Sequence, residues 1–473
     1  MTRTEADQTQ PAGAPASLPA PVRLTRHVFV SFLPSSMPLL SRMNYRRELT
    51  AAFFFPLVIA CVEGGVIGVL VRNAFEGVVD DVWLNFVVAG LVAAPAFANV
   101  ASFVWVRMSH GLHKIRFINA LQIGMIASVA LIALPPRTPL GLVMICTLAL
   151  SARLCYAGIV TLRATVWGVN YPRHARARVA GKLSSVQVEI VAGVGLALGI
   201  VLEVAPWAYR VSFPLLALAA LIGVFSWKRV RVRGHRRLLR AERRHSGDDR
   251  PSLNPLGMAH LLRDDRRYAA YMACQMFLGL GNMMTWAPVV IVVREVFHVG
   301  YLGVILTHTV PSAIMPLCIP FWARLLDRRH VVVFRSIHSW VFVISALFAF
   351  VSVEFGVMWA LVASVAAKGI ALGGGQIAWS LGHLDFAPED KASQYMAVHV
   401  TLTGFRGLLA PFLGVTLYEL FEQIHPGGGA WMFVVAAVLA ALGALGFAAL
   451  RRAMGPDATQ VGAQALPGSH TNP

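Results

Sequence analysis

The chain has 473 residues, of which 57% are apolar and 14% charged, where soluble domains carry about 25% charged residues. So little charge excludes an ordinary water-soluble domain and names lipid as the solvent for most of the chain. The net charge of +18 falls in short blocks between long apolar runs, which marks loops beside an anionic leaflet and excludes a nucleic-acid surface.

Residues 1–48 read as a cytoplasmic tail. Positions 1–22 are rich in Pro, Ala, Thr and Gln, lack the hydrophobic centre of a signal peptide and are expected to be disordered. Positions 24–40 are apolar but short and broken by prolines, and so interfacial. Crossing a bilayer takes about 20 mostly apolar residues, because every backbone N–H and C=O must be paired within the segment. Twelve segments qualify, at approximately 50–72, 83–106, 117–135, 139–168, 182–204 and 207–227, then 268–293, 300–323, 333–354, 356–384, 393–420 and 429–450. The expected layout is a six-helix bundle over 49–227, a basic connector over 228–267, a second bundle over 268–453 and a disordered tail over 454–473. With the amino terminus inside, 33 of the 41 Lys and Arg are cytoplasmic, 13 of them in the connector, and only Arg72, Arg137, Arg210 and Arg294 lie outside. The positive-inside rule then makes both termini cytoplasmic in a multi-pass protein of the cytoplasmic (inner) membrane.

The chain has no HExxH, no phosphate loop, no GxGxxG and no GxSxG. Cys61, Cys146, Cys155, Cys274 and Cys318 lie singly in apolar segments without metal or disulfide spacing. No enzymatic activity, cofactor or metal is expected. His308, His383 and His399 fall in different helices and read as isolated polar residues.

Six helices, a connector and six more suggest a duplication. The loop after the second helix contains Trp105, Arg107, His110, Lys114 and Arg116; the loop after the eighth contains Trp322, Ala323, Arg324, Asp327, Arg328 and Arg329. At these residues the chain resembles the major facilitator superfamily, whose signature loop has a small residue, an Asp four positions on and then basic residues. Ala323, Asp327, Arg328 and Arg329 match, whereas His110 stands where the first-half Asp belongs. Over about residues 45–453 the resemblance implies an all-α fold of twelve transmembrane helices in two pseudo-symmetric bundles. It also implies gating by Asp327 with Arg107, Arg324 and Arg328. The family's drug/proton antiporter patterns fit poorly: Arg153 lacks the following Gln, and the fifth helix carries Gly193, Gly195 and Gly199 without a proline.

A charge at mid-membrane costs about 2.5–3.5 kcal/mol, so it faces a cavity or a partner. At about 1.5 Å per residue, Glu63, Arg153, Asn282, Lys368 and Arg406 fall near the midplane of helices one, four, seven, ten and eleven. The resemblance assigns one, four, seven and ten to the central cavity. Arg163 lies nearer the cytoplasm and is expected to snorkel or pair with Glu189. Gln376 and Trp379 add a polar and aromatic set, and Gly369 with Gly373, Gly374 and Gly375 suggests a hinge in helix ten.

The expected function is secondary transport of a small solute by alternating access, coupled to a proton or ion gradient. The candidate site is Glu63, Arg153, Asn282, Lys368, Gln376, Trp379 and Arg406. Three of these are basic and one acidic, which favours an anionic solute. A broad exporter of hydrophobic compounds and a non-transporting receptor or assembly protein are the alternatives. The expected partners are the solute and the lipid bilayer, with the chain a monomer.

Overall fold

Hydropathy breaks and helix breaks coincide through most of the chain. The computed structural model describes residues 30–244, 258–298 and 301–459. The expected tail over 1–22, connector residues 245–257 and the end of the C-terminal tail lie outside the described residues. In the first half the helices are α1 (Arg42–Phe54), α2 (Pro56–Cys61), α3 (Gly64–Phe75), α4 (Asp81–Val100), α5 (Ser102–Ser109), α6 (Lys114–Leu131), α7 (Pro139–Asn170), α8 (Arg173–Val204) and α9 (Tyr209–Trp227). The connector contains α10 (His235–Arg244) and α11 (Met258–Asp264). The second half has α12 (Arg266–Met284), α13 (Trp286–Glu295), α14 (Tyr301–Arg328), α15 (Val331–His338), α16 (Trp340–Glu354), α17 (Met358–Leu381), α18 (Ala392–Ile424) and α19 (Trp431–Thr459).

Ten segments are long and apolar enough to cross a membrane, and α4 with α5, bent by 40° at Ala101, makes an eleventh. The 28-residue α14 stands where a twelfth belongs, so the count is consistent with twelve. Several helices outrun the apolar segment that announces them. Helix α8 begins at Arg173 because its first turns are polar residues that leave the lipid but keep the backbone helical.

Each half has an apolar core. In the first it joins Ile59, Leu70, Ile118, Met125, Ile145, Leu162 and Phe213. The core of the second also takes in Trp167, Tyr171, Ala177 and Leu183 from the ends of α7 and α8 where the halves meet. Large apolar side chains such as Trp83, Val204, Leu317 and Phe412 are exposed on the outside, as a lipid-facing surface requires. The halves approach closely where α18 crosses α4: a Cβ on Gly404 would lie 2.6 Å from the Ala96 carbonyl oxygen. The glycines of α17 do not interrupt the helix, which is continuous from Met358 to Leu381. They admit close neighbours, with Gly373 against Met315 and Gly374 against the His338 ring.

The described part of the interfacial segment folds back on the first half. Tyr45 donates to the Phe32 carbonyl at 3.0 Å, and Lys182 of α8 donates to the Ser31 carbonyl. The connector is pinned at its start by Asn44, which bonds both the N–H and the C=O of Arg231. Further on, α10 docks on the loop after α5. Glu242 pairs with Lys114 at 2.9 Å, both side chains almost fully buried, and accepts from the Gly111 N–H at 2.8 Å. Beside them the His113 and His235 rings lie 4.1 Å apart. Partial burial and then Arg116 push the His113 imidazole below its ordinary value, and burial and then His113 do the same to His235, with Glu242 opposing and Lys114 and Arg116 adding to the effect.

A group depressed in the docked state binds protons more readily once undocked. Docking is therefore at full strength above about pH 6.5 and weakens as the pH falls below it. Hydrogen exchange over residues 235–244, corrected for intrinsic rates, is expected to accelerate several-fold between about pH 7.5 and about pH 5.5. His235→Phe should flatten that dependence; an unchanged profile would show that the ring pair does not set it.

Candidate functional site

The first helix of each half is broken near its middle, and in each case a cation from the fourth helix of that half occupies the break. In the first half α2 ends at Cys61, Val62 and Glu63 leave the helical conformation, and α3 resumes at Gly64. The break frees the Val62 carbonyl, which accepts from Arg153 Nε at 2.9 Å. The same guanidinium reaches Glu63 at 2.8 Å. Arg153 is buried, whereas about half of the Glu63 side chain (49%) is exposed, so the carboxylate is the open member of the pair. In the second half the chain turns at Thr285 between α12 and α13. Lys368 of α17 donates to the Asn282 carbonyl at 3.0 Å and to the Thr285 hydroxyl at 2.7 Å.

The Lys368 ammonium borders a cavity of about 180 Å³ whose polar wall comes from Thr285, Ser312, Ser345 and Ser364, with Trp286 on its apolar side. Among the described residues no carboxylate lines it. Among the described residues Lys368 meets only neutral oxygens, which makes the cavity receptive to a negative group.

The remaining candidates divide. Asn282 takes part through its backbone, and its side-chain oxygen is buried without a partner among the described residues. Arg406 is buried, donating to the Gln275 carbonyl at 2.8 Å and to the Thr403 hydroxyl at 3.2 Å. Trp379 donates to the same hydroxyl at 3.1 Å, and Gln376 is half-buried one turn away. Arg406 and Lys368 share no hydrogen-bond partner among the described residues.

On the connector side Asp327 of the second half contacts α8 of the first. It meets the second turn of α8, accepting from the Ala177 N–H at 2.7 Å and the Arg178 N–H at 3.3 Å, with the Arg178 guanidinium at 3.5 Å. A carboxylate near this end of α8 lies toward the positive end of the helix dipole and is favoured by it. Arg173 adds an ion pair with Asp385 at 2.9 Å and bonds to the Leu326 and Arg329 carbonyls. Ser102 with Thr401, and Thr165 with Ser393, tie the same face. Arg324 and Arg328 are exposed and Arg107 half-buried, and none of the three forms an ion pair among the described residues. The pairing cations come from the opposite half, and the basic run Arg173, Arg176, Arg178 at the start of the fifth helix is their only signal in the sequence.

Sequence reasoning also misses Glu48. It is buried and accepts from Trp167 Nε1 and from the Tyr171 hydroxyl at 2.6 Å. Arg163 stacks over the Trp167 ring at 4.4 Å and does not pair with Glu189 among the described residues. No group of three or more His, Cys, Asp or Glu there is placed to hold a metal.

Two helical halves joined at one face, built from helices long and apolar enough to cross a membrane and each with a broken first helix, mark a polytopic membrane protein. The sequence profile of the Major Facilitator Superfamily matches residues 84–411, and the chain belongs to that family of membrane transporters. No curated protein matches it in sequence. Among solved structures it is similar to the human organic anion transporter MFSD10 (TETRAN), with a TM-score of 0.62 at 15% identity, covering 86% of this chain and 99% of that one. It is similar also to a bacterial homologue of the iron transporter ferroportin in an outward-facing state (0.60, 11%, 86% and 98%). The proton:xylose symporter XylE bound to 6-bromo-6-deoxy-D-glucose gives 0.56 at 12% identity, covering 86% and 94%. Identities this low establish the shared fold and leave the solute to the site itself.

Proposed function

We propose that the protein is a secondary transporter of a small anionic solute in the cytoplasmic membrane, with both termini inside, working by alternating access. The observation that carries this reading is the Lys368 amine beside a hydroxyl-lined cavity that no carboxylate lines among the described residues. A carboxylate or phosphate group placed there completes an ion pair that the protein leaves open. Glu63, half-exposed and held by Arg153, is the candidate carrier of a coupling proton. The contacts of Asp327, Arg173 and Asp385 on the connector side support a state closed to the cytoplasm, and the excess of Lys and Arg on that side supports the orientation.

Counterflow in proteoliposomes with labelled carboxylates and organic phosphates tests the proposal. Saturable exchange of one anion is expected, with the apparent KM raised about tenfold in Lys368→Gln, the loss of one charge-assisted hydrogen bond. Competition by unrelated lipophilic cations points instead to a broad exporter, and an unchanged KM in Lys368→Gln removes this cavity from solute binding.

A further inference from the structure

Within the second half, toward its connector side, lies a second group of buried polar side chains that the transport reading does not use. Tyr271 and Gln275 are one turn apart on α12; His399 and Arg406 share a face of α18; Arg335 comes from α15; and His383 follows the end of α17. The elements are in direct contact. Arg406 bonds the Gln275 carbonyl at 2.8 Å, and its guanidinium lies so close to α12 that a Cβ on Gly279 would collide with it. The Tyr271 hydroxyl abuts Gly382, beside His383, and faces Arg335. His399 lies within electrostatic reach of Arg406, His383 and Arg335.

All six residues are at least 95% buried, and His383 and His399 have no exposed surface. Even so, both ring nitrogens of each histidine, Nε of Arg335 and of Arg406, and the Gln275 side-chain oxygen have no hydrogen-bond partner among the described residues. Neither guanidinium has a carboxylate among the described residues. The nearby acids are committed elsewhere, Asp385 to Arg173 and the Val331 N–H and Asp265 to Tyr395 and the Tyr268 N–H.

Native proteins pair their buried polar atoms, and a buried charge without its counter-charge is strongly destabilising. The missing group must accept hydrogen bonds and carry negative charge. We propose that this cluster is a binding site for a small inorganic anion, a halide or an oxyanion, held by Arg335 and Arg406 with His383 and His399. A metal ion is disfavoured here by two guanidinium charges and by the lack of a third ligand. The site is separate from the Lys368 cavity, whose walls contain none of these residues, and it does not depend on the solute reading.

The test is thermal unfolding of the purified full chain in detergent at constant ionic strength, with gluconate replaced stepwise by chloride, bromide, sulfate or phosphate. A saturable rise in apparent Tm is expected for the halides or for the oxyanions, and the arm that responds identifies the class. The half-saturating concentration should rise by about tenfold in Arg335→Gln and stay unchanged in Lys368→Gln. Equal stability in all five salts, or an unaltered response in Arg335→Gln, overturns the proposal; so does loss of the response in Lys368→Gln, which places the anion in the solute cavity. Should Arg335→Gln fail to fold, bromide-soaked crystals of the unaltered protein decide the matter. An anomalous peak between Arg335 and Arg406 supports the site, and no peak inside the second half overturns it.

Discussion

Asp327→Asn is expected to lower transport turnover by about tenfold to a hundredfold, the equivalent of one charge-assisted hydrogen-bond set worth about 1.5–3 kcal/mol, while equilibrium solute affinity changes little. The carboxylate accepts from two backbone N–H groups at the start of α8 and faces Arg178. The amide that replaces it keeps the size, loses the charge and turns an NH₂ group toward one of those donors. The contact joins the two halves on the connector side, so its loss acts on the equilibrium between closed and open states rather than on solute contacts. Single-turnover and steady-state flux in proteoliposomes, set beside binding to solubilised protein, read the two effects apart. Equal loss of affinity and turnover, or no loss of either, would contradict the gating role. Arg178→Gln should give a smaller effect, because both backbone donors remain.

Arg153→Met is expected to be the most destabilising change at the two breaks, costing about 2–4 kcal/mol from an unsatisfied buried carbonyl together with a lost ion pair that is half in water. The Val62 carbonyl accepts two bonds from the Arg153 guanidinium, which also holds Glu63, and no other side chain bonds that carbonyl among the described residues. The corresponding Lys368→Met should cost less. There the Asn282 carbonyl keeps a hydrogen bond from the Thr285 hydroxyl at 2.9 Å after the ammonium is gone. Arg153→Lys should fall between, since an ammonium cannot reproduce a fork that bonds a carbonyl and a carboxylate together. Apparent Tm of the four proteins in one detergent gives the order. Lys368→Met less stable than Arg153→Met would show that the two breaks are not held in the way their geometry suggests.

Parts of the site are legible in the order of amino acids alone. Glu63, Arg153 and Lys368 stand out because charge in a long apolar run is costly wherever the helix points, and Asp327 because its loop carries a signature spacing. Their partners are not legible. Nothing in the linear order joins Arg153 to the Val62 carbonyl ninety-one residues away, because the break in the first helix falls at Val62 and Glu63, where neither residue is a helix breaker. Arg335 counts as one more positive charge near the connector side, yet it is buried in the second half. His383 and His399, isolated from each other in sequence, lie within electrostatic reach in the fold. Glu242 sits in a basic run, and nothing in that run marks it as the partner of a buried lysine.

The sequence by itself determined the solvent, the apolar spans, the basic connector, and the few polar residues that lipid would not tolerate without reason. Each of these is a property of a segment taken alone, since hydropathy and length act within about 20 residues. The tertiary structure alone decided which cation meets which carbonyl, that the ion pairs joining the halves come from Arg173 and Arg178, and that the α17 glycines admit close neighbours. Those outcomes depend on the rotation of each helix about its axis and on which helices are neighbours, and both are set by packing among all of them at once.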